Sequence, residues 1–252
     1  MSQAPTPPPG APDLAPEAPA AAHPAVKWTG WDILMVFLTA VGFGILSIAA
    51  LFLAFRAMDI SFSTTITIGI ASVAIYGTVM ISGWVFVIKR RGATPAEVGF
   101  KWVGIGPILA AIPVVIGLMI VTAVILQGIQ ELFGGVPSAQ DQVAPDRASL
   151  VVGDLVWLLL AGSVAAPIAE EFFFRGLLFR YLRARGSLKR AVLVSSALFA
   201  VFHFTPVLMP ALFVFGIVQA WLVQRFDSLY PAILLHAINN GVLMVAVYLS
   251  LS

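Results

Sequence analysis

The sequence predicts an all-α, polytopic transmembrane helical bundle of about seven helices, within a range of six to eight. The first observation is composition: 60% of the 252 residues are apolar, 10% are charged, and the mean hydropathy is +0.99. Soluble domains carry roughly 25% charged residues, and a chain this poor in them cannot cover itself with polar surface. The second is length: five apolar stretches reach the roughly 20 residues that cross a hydrocarbon core about 30 Å thick. The absence of cysteine excludes disulfides, thiolate metal sites and cysteine nucleophiles.

Residues 1–28 form a Pro/Ala-rich segment, including Pro7-Pro8-Pro9, with too little apolar bulk for a core. It reads as a disordered cytoplasmic tail. It lacks the basic start and short apolar run of a secretory signal. Residues 29–252 are then one membrane domain. Its spans are Ile33 to Phe55, Ile66 to Ile88, Ile105 to Leu126, a stretch beginning at Leu150, and Tyr230 to Leu251. The Leu150 stretch runs to about Leu182, so tilt or a kink at Pro167 is expected. Two shorter runs, Ala191 to Phe204 and Leu208 to Val223, are separated by Thr205-Pro206 and Pro210. Irregular backbone there would sit at membrane depth, which only a protein-lined cavity tolerates.

Lys and Arg set the orientation. Lys27, Lys89 to Arg91, Lys101, the cluster from Arg180 to Arg190, and Arg225 fall in alternate segments, whereas the intervening ones hold only Arg56 and Arg147. The N-terminus and the Arg185 loop are expected in the cytoplasm, and the loop around Asp141 outside, in a plasma (inner) membrane protein. The net charge of +2 is explained by this topology, and no nucleic-acid partner follows from it. The bilayer is the one environment composition implies. Oligomeric state is not legible.

Ionisable residues inside spans are costly unless paired or functional. The fourth span contains Glu170-Glu171-Phe-Phe-Phe-Arg175, the next run Phe199-Ala-Val-Phe-His203, and the last His236-Ala-Ile-Asn239-Asn240. Glu171 and Arg175 are four apart, with the acid on the N-terminal side, which favours an ion pair. Glu170 points about 100° away and lacks that partner, which makes it the freer carboxylate and the candidate base. His236 and Asn240 are also four apart, so both can face one point and present donors to an oxyanion.

Two glutamates, three residues, then Arg at 170 to 175; Phe, three residues, then His at 199 to 203; and His, three residues, then Asn at 236 to 240 follow one another in order. Together they resemble the CAAX protease and bacteriocin-processing (CPBP, or Abi) family of intramembrane proteases, which includes the type II CAAX prenyl endopeptidases. The resemblance covers about residues 150–245 and extends loosely to Gly92 to Phe100. It implies that Glu170, helped by His203, activates water, with His236 and Asn240 as the oxyanion hole and Glu171, Arg175 and Phe199 in support. It also implies a membrane-associated protein or peptide as substrate; whether that is prenylated, a leader peptide or another membrane protein is not legible in the sequence. The family is named among metalloproteases, and Glu170, His203 and His236 are the residues that would bind a zinc ion. A glutamate base with an oxyanion hole requires none, and the metal-free reading is favoured.

Structural readings stand beside these. The Glu171 and Arg175 pair is by itself the usual way a membrane helix carries charge, and a span histidine can simply bond across helices. Phe172, Phe173 and Phe174 read as packing, and Ser163 as a small interface residue. There is no His-Glu-x-x-His zinc helix, and the Gly-x-Gly-Asp and Gly-x-Ser-Gly settings of other membrane proteases are incomplete at Val151 to Asp154 and at Gly162-Ser163. The alternative functions are a proton-coupled transporter and a non-catalytic scaffold or immunity protein. A transporter's paired, interrupted halves are not seen.

Overall fold

The computed structural model describes residues 25–59, 64–134 and 152–251. Most of the expected tail and the expected outer loop around Asp141 lie outside them. Among the described residues there are seven helices and no strand. We number them α1 (Gly30–Ala57), α2 (Thr64–Gly83, continued by Trp84–Lys89), α3 (Ile105–Leu109 and Ala111–Phe133), α4 (Val152–Arg185), α5 (Leu188–Val201), α6 (Met209–Phe226) and α7 (Tyr230–Leu251). Five of them, α1, α2, α3, α4 and α6, are long and apolar enough to cross a membrane.

Local chemistry sets the ends. Thr29 caps α1 and forms a reciprocal box with Asp32, satisfying backbone donors that a first turn leaves open. Ser187 caps α5, and Pro210 sits in the first turn of α6, where its missing N–H costs nothing. The sequence set Pro210 with Thr205-Pro206 between the runs Ala191 to Phe204 and Leu208 to Val223; it belongs instead to the first turn of α6, which continues to Phe226. A second correction concerns Trp28, assigned from sequence to the tail. Its indole is buried and donates to the Leu177 carbonyl, 3.0 Å away, so the packed bundle includes it.

Helix α4 is the hub, packing against α1, α2, α5, α6 and α7. It is not a uniform α-helix. Wide π turns occupy Leu159–Ala165 and Glu171–Phe179, flanking the α segment Ala166–Glu170 that contains Pro167. A proline removes one rung of the hydrogen-bond ladder, and a wide turn before it accommodates the ring without ending the helix. Outward faces carry Leu46, Phe52, Leu53, Ile120 and Val124, all exposed, as suits contact with lipid.

The expected inner segments gather at one end of the bundle. Lys27 pairs with Glu97, Arg91 with Asp32, and both Lys101 and Arg180 with Asp227. The 92–101 loop is also locked to the start of α7: Leu229 N–H donates to the Gly99 carbonyl at 2.8 Å and the Ser228 hydroxyl to the Lys101 carbonyl at 2.7 Å. Gly99 has a φ of +104°, where only glycine is unstrained. A side chain on Gly176 would stand 2.7 Å from the Val98 carbonyl, so glycine there lets α4 approach this loop.

Candidate active site

Consecutive helical residues point about 100° apart, and α4 uses that divergence to send its two glutamates into different surroundings. Glu171 faces inward and is fully buried. Its Oε1 accepts from Arg175 Nη1 at 3.3 Å, from Gln219 Nε2 on α6 at 3.2 Å, and from His236 Nδ1 on α7 at 2.9 Å. The expected pair four residues apart therefore forms within the wide turn, but Glu171 is more than a counter-ion. Arg175 also donates to the Gly216 carbonyl at 3.3 Å and lies 4.3 Å over the Phe199 ring, a favourable cation–π geometry. Glycine at 216 lets α6 approach α5 closely, since a Cβ there would fall 2.9 Å from the Ser196 backbone.

Glu170 faces α2 and the two histidines. Its Oε1 accepts from the Tyr76 hydroxyl at 3.1 Å, and its Oε2 lies 3.8 Å from His203 Nε2 and 3.9 Å from His236 Nε2. Oε2 is enclosed and has no hydrogen-bond donor among the described residues. His203 lies two residues beyond the end of α5, in a turn, rather than within a helix as the sequence suggested. Phe202 closes that helix and Phe204 takes a positive φ of 51°, which turns the chain toward Thr205-Pro206. The departure brings His203 Nδ1 within 2.7 Å of the Phe199 carbonyl.

These bonds fix the imidazoles. A carbonyl or carboxylate oxygen only accepts, so Nδ1 of His203 and of His236 carries a proton, and in the neutral form of each ring the lone pair is on Nε2. In that form two lone pairs and a carboxylate oxygen converge. A water molecule, with two protons to donate, complements this set. The approach is from the His203 side, because that side chain is 30% exposed, Glu170 16%, and His236 only 3%.

Phe199 joins the two halves of the site: its carbonyl holds His203, its ring lies under Arg175, and the His236 ring is 6.0 Å away. Asn240 does not stand free beside His236. Its amide donates to the Gly162 carbonyl in the first wide turn of α4, at 2.9 Å, and Asn239 donates to its oxygen at 3.3 Å. One amide proton of Asn240 is therefore engaged. Ser163 is buried against Met244, and Phe172, Phe173 and Phe174 are buried in the core, as the packing readings expected.

Zinc ligands about 2.0 to 2.1 Å from a tetrahedral centre stand about 3.3 to 3.4 Å from one another. The 3.8 and 3.9 Å separations here are wider. Among the described residues no three carboxylates or histidines are gathered closely enough to hold a metal ion.

Sequence reasoning missed Tyr76, Gln219 and Gly162. A signal existed for the first two, each a hydrogen-bonding side chain inside an apolar span. Nothing local marks Gly162, which acts through its backbone carbonyl.

Residues 152–242 match the type II CAAX prenyl endopeptidase Rce1-like family model. The match bears out the resemblance drawn from the three motifs. It contains Glu170, Glu171, Arg175, Phe199, His203, His236 and Asn240, whereas Tyr76 lies outside it. No curated protein and no solved structure matches the chain significantly. The Rce1-like segment and the apolar helices together support an integral membrane protein of the CAAX-type intramembrane protease class.

Proposed function

We propose that this protein is an intramembrane endopeptidase in which Glu170 activates water to hydrolyse a peptide bond of a membrane-associated substrate, prenylated or leader-bearing. The observation that carries the reading is the convergence of Glu170 Oε2 with the lone-pair nitrogens of His203 and His236. A water there donates one proton toward Glu170 and the other toward a histidine. As its oxygen bonds to the scissile carbonyl carbon, Glu170 takes the first proton, the role of a general base. The carbonyl oxygen gains the negative charge. His236 can donate to it from Nε2 when the ring enters the step already carrying a proton taken from solvent there, an imidazolium that Glu171 stabilises through Nδ1, in which case the second proton of the water faces His203 alone; the second amide proton of Asn240 can reinforce it. When the C–N bond breaks, the proton on Glu170 passes to the leaving amine. No step uses a metal.

The test uses purified protein in detergent with a farnesylated peptide that carries three residues after its modified cysteine. Release of the tripeptide by the native protein and not by Glu170→Gln is the expected result. In parallel, cells carrying Glu170→Ala should accumulate uncleaved membrane precursors. If neither the peptide nor any cellular precursor depends on Glu170, the protease reading is wrong, and a partner that binds equally well to both forms identifies a scaffold.

For location we propose a plasma (inner) membrane protein with a cytoplasmic N-terminus, from the bias of Lys and Arg. Because the chain has no cysteine, one introduced at Asp141 can be labelled cleanly. It should react from outside, and reaction from the cytoplasmic side would invert the topology.

A further inference from the structure

Of the buried residues of α6, Gln219 alone is polar; the others are Ala211, Phe215, Gly216, Ala220, Leu222 and Val223. The Gln219 side chain is fully buried. Its Nε2 donates to Glu171 Oε1 on α4 at 3.2 Å and to the Ala232 carbonyl on α7 at 3.1 Å. Both partners only accept, so the amide has one orientation. Its Oε1 is left enclosed with no hydrogen-bond partner among the described residues. An enclosed amide oxygen without a donor is destabilising, and an apolar side chain of similar size would avoid that cost. Packing alone therefore does not account for an amide at this place.

The two groups that the amide joins both belong to His236. Ala232 lies one helical turn before it on α7, and Glu171 Oε1 is the atom that accepts from its Nδ1 at 2.9 Å. Phe215, four residues before Gln219 on α6, packs against the same imidazole, with ring centroids 4.9 Å apart. Gln219 thus ties the carboxylate that holds the ring to the stretch of backbone that bears it. With both ends of the His236 side chain set, its Nε2 is aimed toward Glu170 Oε2, 3.9 Å away. Without the tie Glu171 still attracts the ring, but α7 is free to shift against α4 and carry Nε2 with it. We propose that Gln219 is a positioning residue of the peptidase, acting through Glu171 and the Ala232 turn to aim His236 at the reacting carbonyl oxygen. Its consequence for turnover rests on the peptidase reading, whereas the aim of the ring does not. A misplacement of about 1 Å can lower a rate by on the order of 10²-fold. A donor that meets charge developing only in the transition state acts on kcat rather than KM.

The test compares the native protein with Gln219→Leu and with Gln219→Met, which matches glutamine in length and serves if the leucine variant folds poorly. With the farnesylated peptide, kcat should fall by about tenfold or more while KM and the thermal midpoint change little. A second measurement needs no turnover. The chain has three histidines, so the His236 Nδ1 proton can be followed by NMR in protein labelled at histidine and assigned by its loss in His236→Gln. Its exchange with solvent should be faster by about tenfold or more in the Gln219 variants, since a loosened contact opens more often. Unchanged exchange would overturn the proposal whatever the turnover. Faster exchange with native kcat, or with a loss confined to KM, would also overturn it, because the aim of His236 would then not limit the reaction. If the native protein shows no turnover that depends on Glu170, the peptidase reading fails by itself. Faster exchange would then still show that Gln219 aims the ring, and unchanged exchange would show that it does not.

Discussion

His236 Nδ1 stands 2.9 Å from Glu171 Oε1, so the acid that helix spacing pairs with Arg175 also holds an imidazole brought in by another helix. The same ring turns its Nε2 toward Glu170 Oε2, 3.9 Å away. One imidazole is thus placed between adjacent carboxylates of unlike surroundings, and the two acids should respond differently to substitution.

Glu170→Gln preserves shape and removes the base. The protein should fold normally and lose at least ~10²-fold in turnover, the lower end of a general base's contribution. Glu171→Gln leaves Arg175 as a buried, uncompensated charge and should cost several kcal/mol, read as a fall in thermal midpoint. Adding Arg175→Gln should restore much of the midpoint, since removing both partners is milder than removing one. Activity should stay low in that double variant, because His236 has still lost its carboxylate. A well-folded, inactive Glu171→Gln beside an active Glu170→Gln would reverse the roles.

Tyr76→Phe removes one hydroxyl, and with it the donor to Glu170 Oε1. A hydrogen bond to a charged group contributes about 1.5 to 3 kcal/mol, so loss of positioning should lower turnover by about tenfold or more. The thermal midpoint and the binding of peptide to Glu170→Gln should change little when Tyr76→Phe is added. Unaltered turnover would remove Tyr76 from the site.

Metal dependence is checked by elemental analysis and chelation. The metal-free reading expects purified, active protein to contain far less than one equivalent of zinc and to keep its activity after chelator treatment. Stoichiometric zinc, with activity lost to the chelator and restored by zinc, would show that the 3.8 and 3.9 Å separations close around an ion.

At the basic end, burial tends to raise the Asp227 pKa, but hydrogen bonds and charge from Arg180 and Lys101 outweigh it and hold the carboxyl below its ordinary 3.8. A carboxylate depressed on folding adds stability above its unfolded pKa, and that stability is lost as pH falls through the folded value. The midpoint of the native protein should therefore drop more steeply below about pH 3.8 than that of Asp227→Asn. Asparagine keeps the left-handed backbone that closes α6, with φ of 50°, so the comparison isolates charge. Parallel curves would show that solvent screens the contact at this exposed site.

The membrane class, most spans and the seven motif residues were legible because each rests on local facts: hydropathy over about 20 residues, and charge or histidine where neither is cheap. Helix spacing alone separated Glu170 from Glu171 and paired the latter with Arg175. The end of α5 was less legible, since Phe199 to His203 reads as a helical repeat of four, whereas the chain leaves the helix at Phe202. Pro210 looked like an interruption and is a beginning. The choice between these depends on how the neighbouring helices pack.

Only the tertiary structure decided which partners each side chain meets. Tyr76 is 94 residues from Glu170, His236 is 65 from Glu171, and Asn240 is 78 from Gly162. No local propensity encodes such pairs. They arise because α4 lies between α2 and α7 and turns one carboxylate toward each side, and because the packing of α7 on the first wide turn of α4 brings Asn240 to the Gly162 carbonyl. The sequence alone determined which residues carry charge into the membrane; the packing of the helices around α4 decided what each charge faces.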